Sequence, residues 1–182
     1  MGDESKLKVL LSQGLLAASG FQGLYVAQNK KLHFGVPAYS TSLLAGCIGF
    51  LEKLMGNETI TKVNRYTSPL AHTLVLPLIA AEVCYRYGVQ WIYAAAHLAY
   101  PIIHYLCRNT LQNLIKTEYL EISHAISTAI VAYFSYCESN EWAAIMSIIY
   151  AIASLVGHLI DDLQIRTLAL ALANLIHATM VA

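Results

Sequence analysis

Histidine is the residue type whose placement in this sequence could support chemistry. Six of the seven histidines lie inside long apolar stretches: His72, His97, His104, His124, His158 and His177. An ionisable side chain in such surroundings is costly, so it usually faces the interior of a helix bundle or a water-filled cavity. An imidazole in that position can pass protons near neutral pH, bind a metal ion or ligate haem iron.

One group of polar side chains is predicted to line a pathway for a ligand or an ion. Its members are His97, His104, Glu82, Tyr100 and His177. His97 and His104 are seven residues apart, which places them on one face of a helix. Glu82 and His177 are expected near the opposite surface, where they could pair across the bundle. An ion pair between Glu82 and Arg86, four residues on, is the alternative.

A second group is predicted to form a polar layer near the cytoplasmic surface. Its members are His72, His124, His158, Asp161, Asp162 and Arg108, and His104 is expected at the same level. Asp161 and Asp162 follow His158 by three and four residues, so a carboxylate could orient that imidazole.

The candidate ligands for a metal in this layer are His72, His104, His124 and His158. A metal or haem is less favoured than hydrogen-bonded histidines, because the sequence has neither an HExxH motif nor a His pair at i, i+4. No cofactor is therefore assigned.

Composition indicates the solvent around these residues. Of 182 residues, 57% are hydrophobic and 12% are charged, whereas soluble domains average roughly 45–50% and about 25%. The net charge is zero, which argues against a nucleic-acid binder because such proteins carry a clustered basic excess. We expect an all-α, polytopic integral membrane protein.

Seven apolar stretches are each close to the ~20 residues that cross a bilayer as a helix. They run over Lys8–Gln28, Val36–Leu54, Thr67–Arg86, Gln90–Arg108, Glu118–Cys137, Glu141–Asp161 and Gln164–Val181. The loops between them are short, and the longest predicted connections are Met55–Tyr66 and Asn109–Thr117. Residues 1–182 are therefore interpreted as a single transmembrane helical domain.

The positive charges predict the orientation of these spans. Seven alternating spans place eight Lys and Arg residues on one side and three on the other. By the positive-inside rule, the N-terminus is expected in the cytoplasm and the C-terminus outside. The organelle is not predicted.

Four further patterns bear on helix packing. A faint repeat pairs His72, Trp91 and Leu111 with His124, Trp142 and Leu163 at offsets of 52, 51 and 52 residues, as tandem hairpins would. Glycines and alanines in the first two spans, such as Gly20, Gly23, Gly46 and Gly49, predict close helix contacts.

Pro77 and Pro101 are expected to kink or open the third and fourth helices. Asn174 is expected to hydrogen-bond between helices.

These features favour a small transporter or channel that moves a solute, an ion or a proton. The alternatives are a lipid-modifying membrane enzyme that uses the His/Asp layer, and a structural subunit of a larger membrane complex. The expected partners are the lipid bilayer and either a second copy of the chain or such a complex. No nucleic-acid partner is expected.

Overall fold

The protein is all-helical over the residues that the computed structural model describes, which are 3–107, 117–160 and 163–182, with side chains at 5–107, 119–152 and 164–182. This confirms the all-α part of the predicted fold class. Eight helices are present in the described residues: α1 Asp3–Asn29, α2 Gly35–Met55, α3 Glu58–Arg86, α4 Trp91–Ala96, α5 Ala99–Cys107, α6 Thr117–Cys137, α7 Glu141–Ile160 and α8 Leu163–Val181.

Six of these helices form a closed ring. Around it, α1 packs on α2, α2 on α3, α3 on α6, α6 on α7, α7 on α8, and α8 on α1. The main buried cluster draws on all six, through residues such as Leu16, Ala38, Ile79, Val131 and Met146. In the described part of the chain, this cluster contains no residue of α4 or α5. The α4–α5 segment instead packs against α3 from outside the ring, and α5 also touches α6.

The two ends of the bundle are named by the terminus of α1 that lies at each. The amino end is where α1 begins and α2 meets α3, and the carboxyl end is where α1 turns into α2 and α8 finishes. Ala27 of α1, Leu32 of the turn and Val181 of α8 share a small buried cluster at the carboxyl end. The first and last helices therefore run in the same direction as neighbours.

The turn between α2 and α3 is much shorter than predicted. The connection expected over Met55–Tyr66 is wrong, since only Gly56 and Asn57 separate the helices. Gly56 ends α2 in the left-handed conformation, with φ of +59°, which glycine adopts without strain. Asn57 then caps α3 by accepting a hydrogen bond from the Thr59 N–H at 2.8 Å. The first turns of α3 are polar and exposed, so hydropathy alone did not include them in the span.

The fourth predicted span is two helices and not one. α4 ends at Ala96 and α5 begins at Ala99, with His97 and Leu98 in a turn between them. Pro101 has no N–H to offer the carbonyl of His97, four residues earlier. The prediction that Pro101 opens this helix is confirmed. By contrast, α3 continues through Pro77 without interruption.

The predicted close approach of the first two spans is present in the structure. A side chain on Gly20 would meet the backbone nitrogen of Leu43 at 2.5 Å, and one on Gly46 would meet the backbone of Ala17 and Gln13. Glycine at these positions lets the two helix backbones touch.

Two helices in the described residues are long and apolar enough to cross a membrane. They are Ser5–Asn29 and Glu58–Arg86. Most of the second is buried inside the bundle, and a core helix of a soluble protein shares that length and composition. The polytopic arrangement is taken up as a proposal below.

Candidate polar site at the carboxyl end

Tyr39 and His177 form a buried pair inside the carboxyl end of the bundle. The Tyr39 hydroxyl lies 2.6 Å from Nδ1 of His177, and the two rings stack with centroids 5.8 Å apart. Both side chains are fully buried. Gly23 of α1 makes the room, since any Cβ there would overlap the Tyr39 ring.

A second polar pair lies one helical turn from the first. Nδ2 of Asn174 donates to Oγ of Ser42 at 2.9 Å, and both residues are fully buried. Tyr39 and Ser42 are three residues apart on α2, as are Asn174 and His177 on α8, so each helix presents its two groups on one face. The expectation that Asn174 bonds between helices is confirmed.

Glu82 anchors the first turn of α2. Its Oε2 accepts hydrogen bonds from the backbone N–H groups of Phe34 at 2.7 Å and Gly35 at 3.0 Å. The residue at the start of α2, Phe34, offers no capping side chain of its own, so a carboxylate from α3 satisfies these donors. Oε1 of Glu82 lies 3.7 Å from Nε of Arg86, which is the i, i+4 ion pair named as the alternative.

The residues predicted to line a pathway fall into two places. His177 and Glu82 lie at the carboxyl end with different partners, Tyr39 for the imidazole and the start of α2 for the carboxylate. His97, Tyr100 and His104 belong to the α4–α5 segment outside the ring.

Within that segment, the ring centroids of Tyr100 and His104 are 6.1 Å apart, and Tyr100 makes an edge contact with Tyr119 of α6. Among the described residues, Nε2 of His97 is buried and has no hydrogen-bond partner.

Two histidines of the predicted polar layer, His72 and His124, lie near each other. His72 of α3 interacts electrostatically with His124 of α6 and with Arg166 of α8. Nε2 of His124 lies 3.1 Å from the carbonyl oxygen of Thr73. Arg108, Asp161, Asp162 and the His158 side chain lie outside the described residues.

The arrangement of ligand-type side chains bears on a metal centre. Over the side chains that are described, no three His, Cys, Asp or Glu residues are grouped as metal ligands. The Arg166 guanidinium near His72 would also repel a cation.

Sequence reasoning identified His177, Glu82 and Asn174 but missed Tyr39 and Ser42. Tyr39 is one of 12 tyrosines, and its hydropathy does not distinguish it from those that face outward. The available signal was its spacing from Ser42, which matches the spacing of Asn174 and His177.

Comparison of the chain with protein-family models, with curated proteins and with solved structures finds no match. The function is therefore argued from the residues of this chain alone.

Proposed function

We propose that this chain is a polytopic membrane protein whose helix ring crosses a lipid bilayer, with the amino end on the cytoplasmic side. The support is the outward-facing surface of the bundle, where large apolar side chains are exposed on the ring helices and on α5. Examples are Leu11, Leu15 and Phe21 on α1, Ile102 and Ile103 on α5, Ile126 on α6, Ile145 and Ile148 on α7, and Leu168 and Leu172 on α8. An exterior with so many exposed apolar side chains suits lipid and not water.

Aromatic side chains at the carboxyl end support the same proposal. Seven exposed Tyr and Trp residues from α1, α3, α4, α6 and α7 lie within about two turns of this end: Tyr25, Tyr85, Trp91, Tyr93, Tyr133, Tyr136 and Trp142. Tyr and Trp concentrate where a bilayer meets water, because each has an apolar ring and a polar group. We call this set the aromatic belt and place it at the outer interface.

Tryptophan fluorescence tests the placement directly, because the two tryptophans of the chain, Trp91 and Trp142, both belong to the belt. In bilayers that contain brominated lipid, we expect bromine near the headgroups to quench both residues more strongly than bromine at the acyl-chain ends. Trp91→Phe and Trp142→Phe report each position separately. Absence of quenching by either lipid, or a protein that stays soluble without detergent, would contradict membrane insertion.

We further propose that the protein is a transporter or channel. The species that best fits its line of buried polar side chains, which includes Tyr39 and His177, is a proton. The observation that carries this proposal is the pair of Tyr39 and His177, fully buried yet hydrogen-bonded at 2.6 Å. An imidazole can accept a proton at one ring nitrogen and release one from the other. Buried side chains that bond directly to one another suit protons better than hydrated ions or larger solutes.

The line extends on both sides of the pair. Toward the carboxyl end, the Arg86 guanidinium interacts electrostatically with His177, and Arg86 is partly exposed. Toward the middle of the bundle lie Ser42 and Asn174. The buried Gln13 of α1 lies further along, against Gly49, seven residues beyond Ser42 on α2.

Proton flux into liposomes that carry the purified protein and an internal pH dye tests the second proposal. We expect His177→Phe to reduce the flux to that of empty liposomes, and Tyr39→Phe to reduce it partly. The matched control is His33→Asn, which removes an exposed imidazole at the same end and should leave the flux unchanged. Helix content and thermal melting of each variant verify folding. Wild-type flux equal to that of empty liposomes would refute the proposal.

A further inference from the structure

Two fully buried polar atoms of the candidate site have no protein partner within the described residues. They are Nε2 of His177 and Oδ1 of Asn174. A buried polar group without a hydrogen bond is destabilising, and such atoms in proteins are usually satisfied by ordered water. Both atoms belong to residues on the same face of α8, three positions apart.

The hydrogen-bonding capacities of the two atoms are complementary. Asn174 uses its amide nitrogen to donate to Ser42, so its Oδ1 is left as an acceptor. If the Tyr39 hydroxyl donates to Nδ1 of His177, the imidazole carries its hydrogen on Nε2. The two groups left without a partner are then one donor, Nε2–H of His177, and one acceptor, Oδ1 of Asn174. They are separated by a single helical turn.

We propose that one internal water molecule binds between His177 and Asn174, accepting from Nε2–H and donating to Oδ1. The water joins the pair of Tyr39 and His177 to the pair of Ser42 and Asn174. It also fixes the imidazole tautomer from the side opposite to Tyr39. As a segment of the proton route, the water rests on the proposed function, but its presence is measured without any flux.

The test is nuclear magnetic resonance of the full chain in lipid bilayers, with ¹⁵N-labelled histidine. The His177 signals are assigned by their loss in His177→Phe, or by their shift in Tyr39→Phe should the first variant fail to fold. We expect the chemical shifts of the Nε2–H tautomer and a cross-peak between that hydrogen and water. An Nδ1–H tautomer, or a His177 ring without a water cross-peak, would overturn the inference.

Asn174→Leu provides the second arm, because it removes the acceptor and fills the space. We expect the water cross-peak of His177 to disappear in this variant, while the Nε2–H tautomer is retained through Tyr39. The signals of His124, which is bonded to Thr73 at a distance from the site, report that the fold is intact. A cross-peak that persists in Asn174→Leu counts against the water site. Finding the water in a protein that moves no protons would refute the proposed transport alone.

Discussion

The Tyr39 hydroxyl and Nδ1 of His177 lie 2.6 Å apart although 138 residues separate them in the sequence. Their rings stack at an interplanar angle of 26°. The contact joins the second turn of α2 to the last turns of α8, across the space between α1 and α3. It is thus a bond between helices that are not neighbours in the ring.

Replacing Tyr39 with phenylalanine tests the energy of this contact. Tyr39→Phe keeps the ring that fills the space beside Gly23 but leaves Nδ1 of His177 without its partner. We expect a loss of about 1–2 kcal/mol in the free energy of unfolding, measured by denaturant titration in detergent. Tyr25→Phe, on the exposed side of α1, is the control and should change little. Equal stability of the two variants would show that the bond contributes nothing.

A double-mutant cycle on Ser42 and Asn174 measures the second pair. Ser42→Ala and Asn174→Ala each remove one side of the same hydrogen bond. We therefore expect the double variant to be more stable than the sum of the single losses predicts, by about 0.5–1.5 kcal/mol. The control pairs Asn174→Ala with Thr41→Ala, because Thr41 bonds within its own helix, to the Pro37 carbonyl. A coupling energy near zero for Ser42 and Asn174 would refute their direct contact.

Glu82 is expected to protect the start of α2 from hydrogen exchange. Glu82→Gln keeps an acceptor oxygen but removes the charge that stabilises the helix N-terminus. The amide hydrogens of Phe34 and Gly35 should then exchange about tenfold faster, which corresponds to about 1.4 kcal/mol. The exposed Glu58, which pairs with Lys62 at 2.9 Å, supplies the control Glu58→Gln. Unchanged exchange at Phe34 and Gly35 in Glu82→Gln would contradict the anchoring role.

The same glycine substitution should have opposite effects at two positions in the α1–α2 contact. In Gly46→Ala the new methyl would overlap the backbone of Ala17 and Gln13, so we expect a loss of about 1–3 kcal/mol from overpacking. In Gly14→Ala it would touch the Phe50 ring at an ordinary 3.7 Å, so we expect a gain of up to about 1 kcal/mol from helix propensity. Thermal melting in detergent measures whether each variant is more or less stable than the wild type. Equal effects would contradict the close backbone contact.

The helices could be predicted from the sequence because they depend on local composition. Long runs of Ala, Leu and Ile indicated five of the helices closely, together with the end of α3, and Pro101 indicated the opening of the fourth span. The start of α3 could not be predicted from hydropathy, because Asn57 and the ion pair of Glu58 with Lys62 stabilise two turns that are not apolar.

The site was only partly predictable for a different reason. Buried His177, Glu82 and Asn174 are conspicuous in an apolar sequence, so their types alone drew attention. Their partners are an ordinary tyrosine, an ordinary serine and two backbone N–H groups, and which of these lie close is decided by the packing of α2 against its neighbours. The aromatic belt was also missed. Its signal was present in the recurrence of Tyr and Trp at the span ends on one side.

Glu82 has a consequence for how the chain is assembled during synthesis. The hairpin of α2 and α3 is closed by Gly56 and Asn57 at one end and by the Glu82 carboxylate at the other. All of these residues precede α4–α8 in the sequence, so the hairpin can form before those helices have been made. Tyr39 must wait for the final helix to bring His177. Its hydroxyl gains this partner only once α8 has been made, and the pair thus reports completion of the ring.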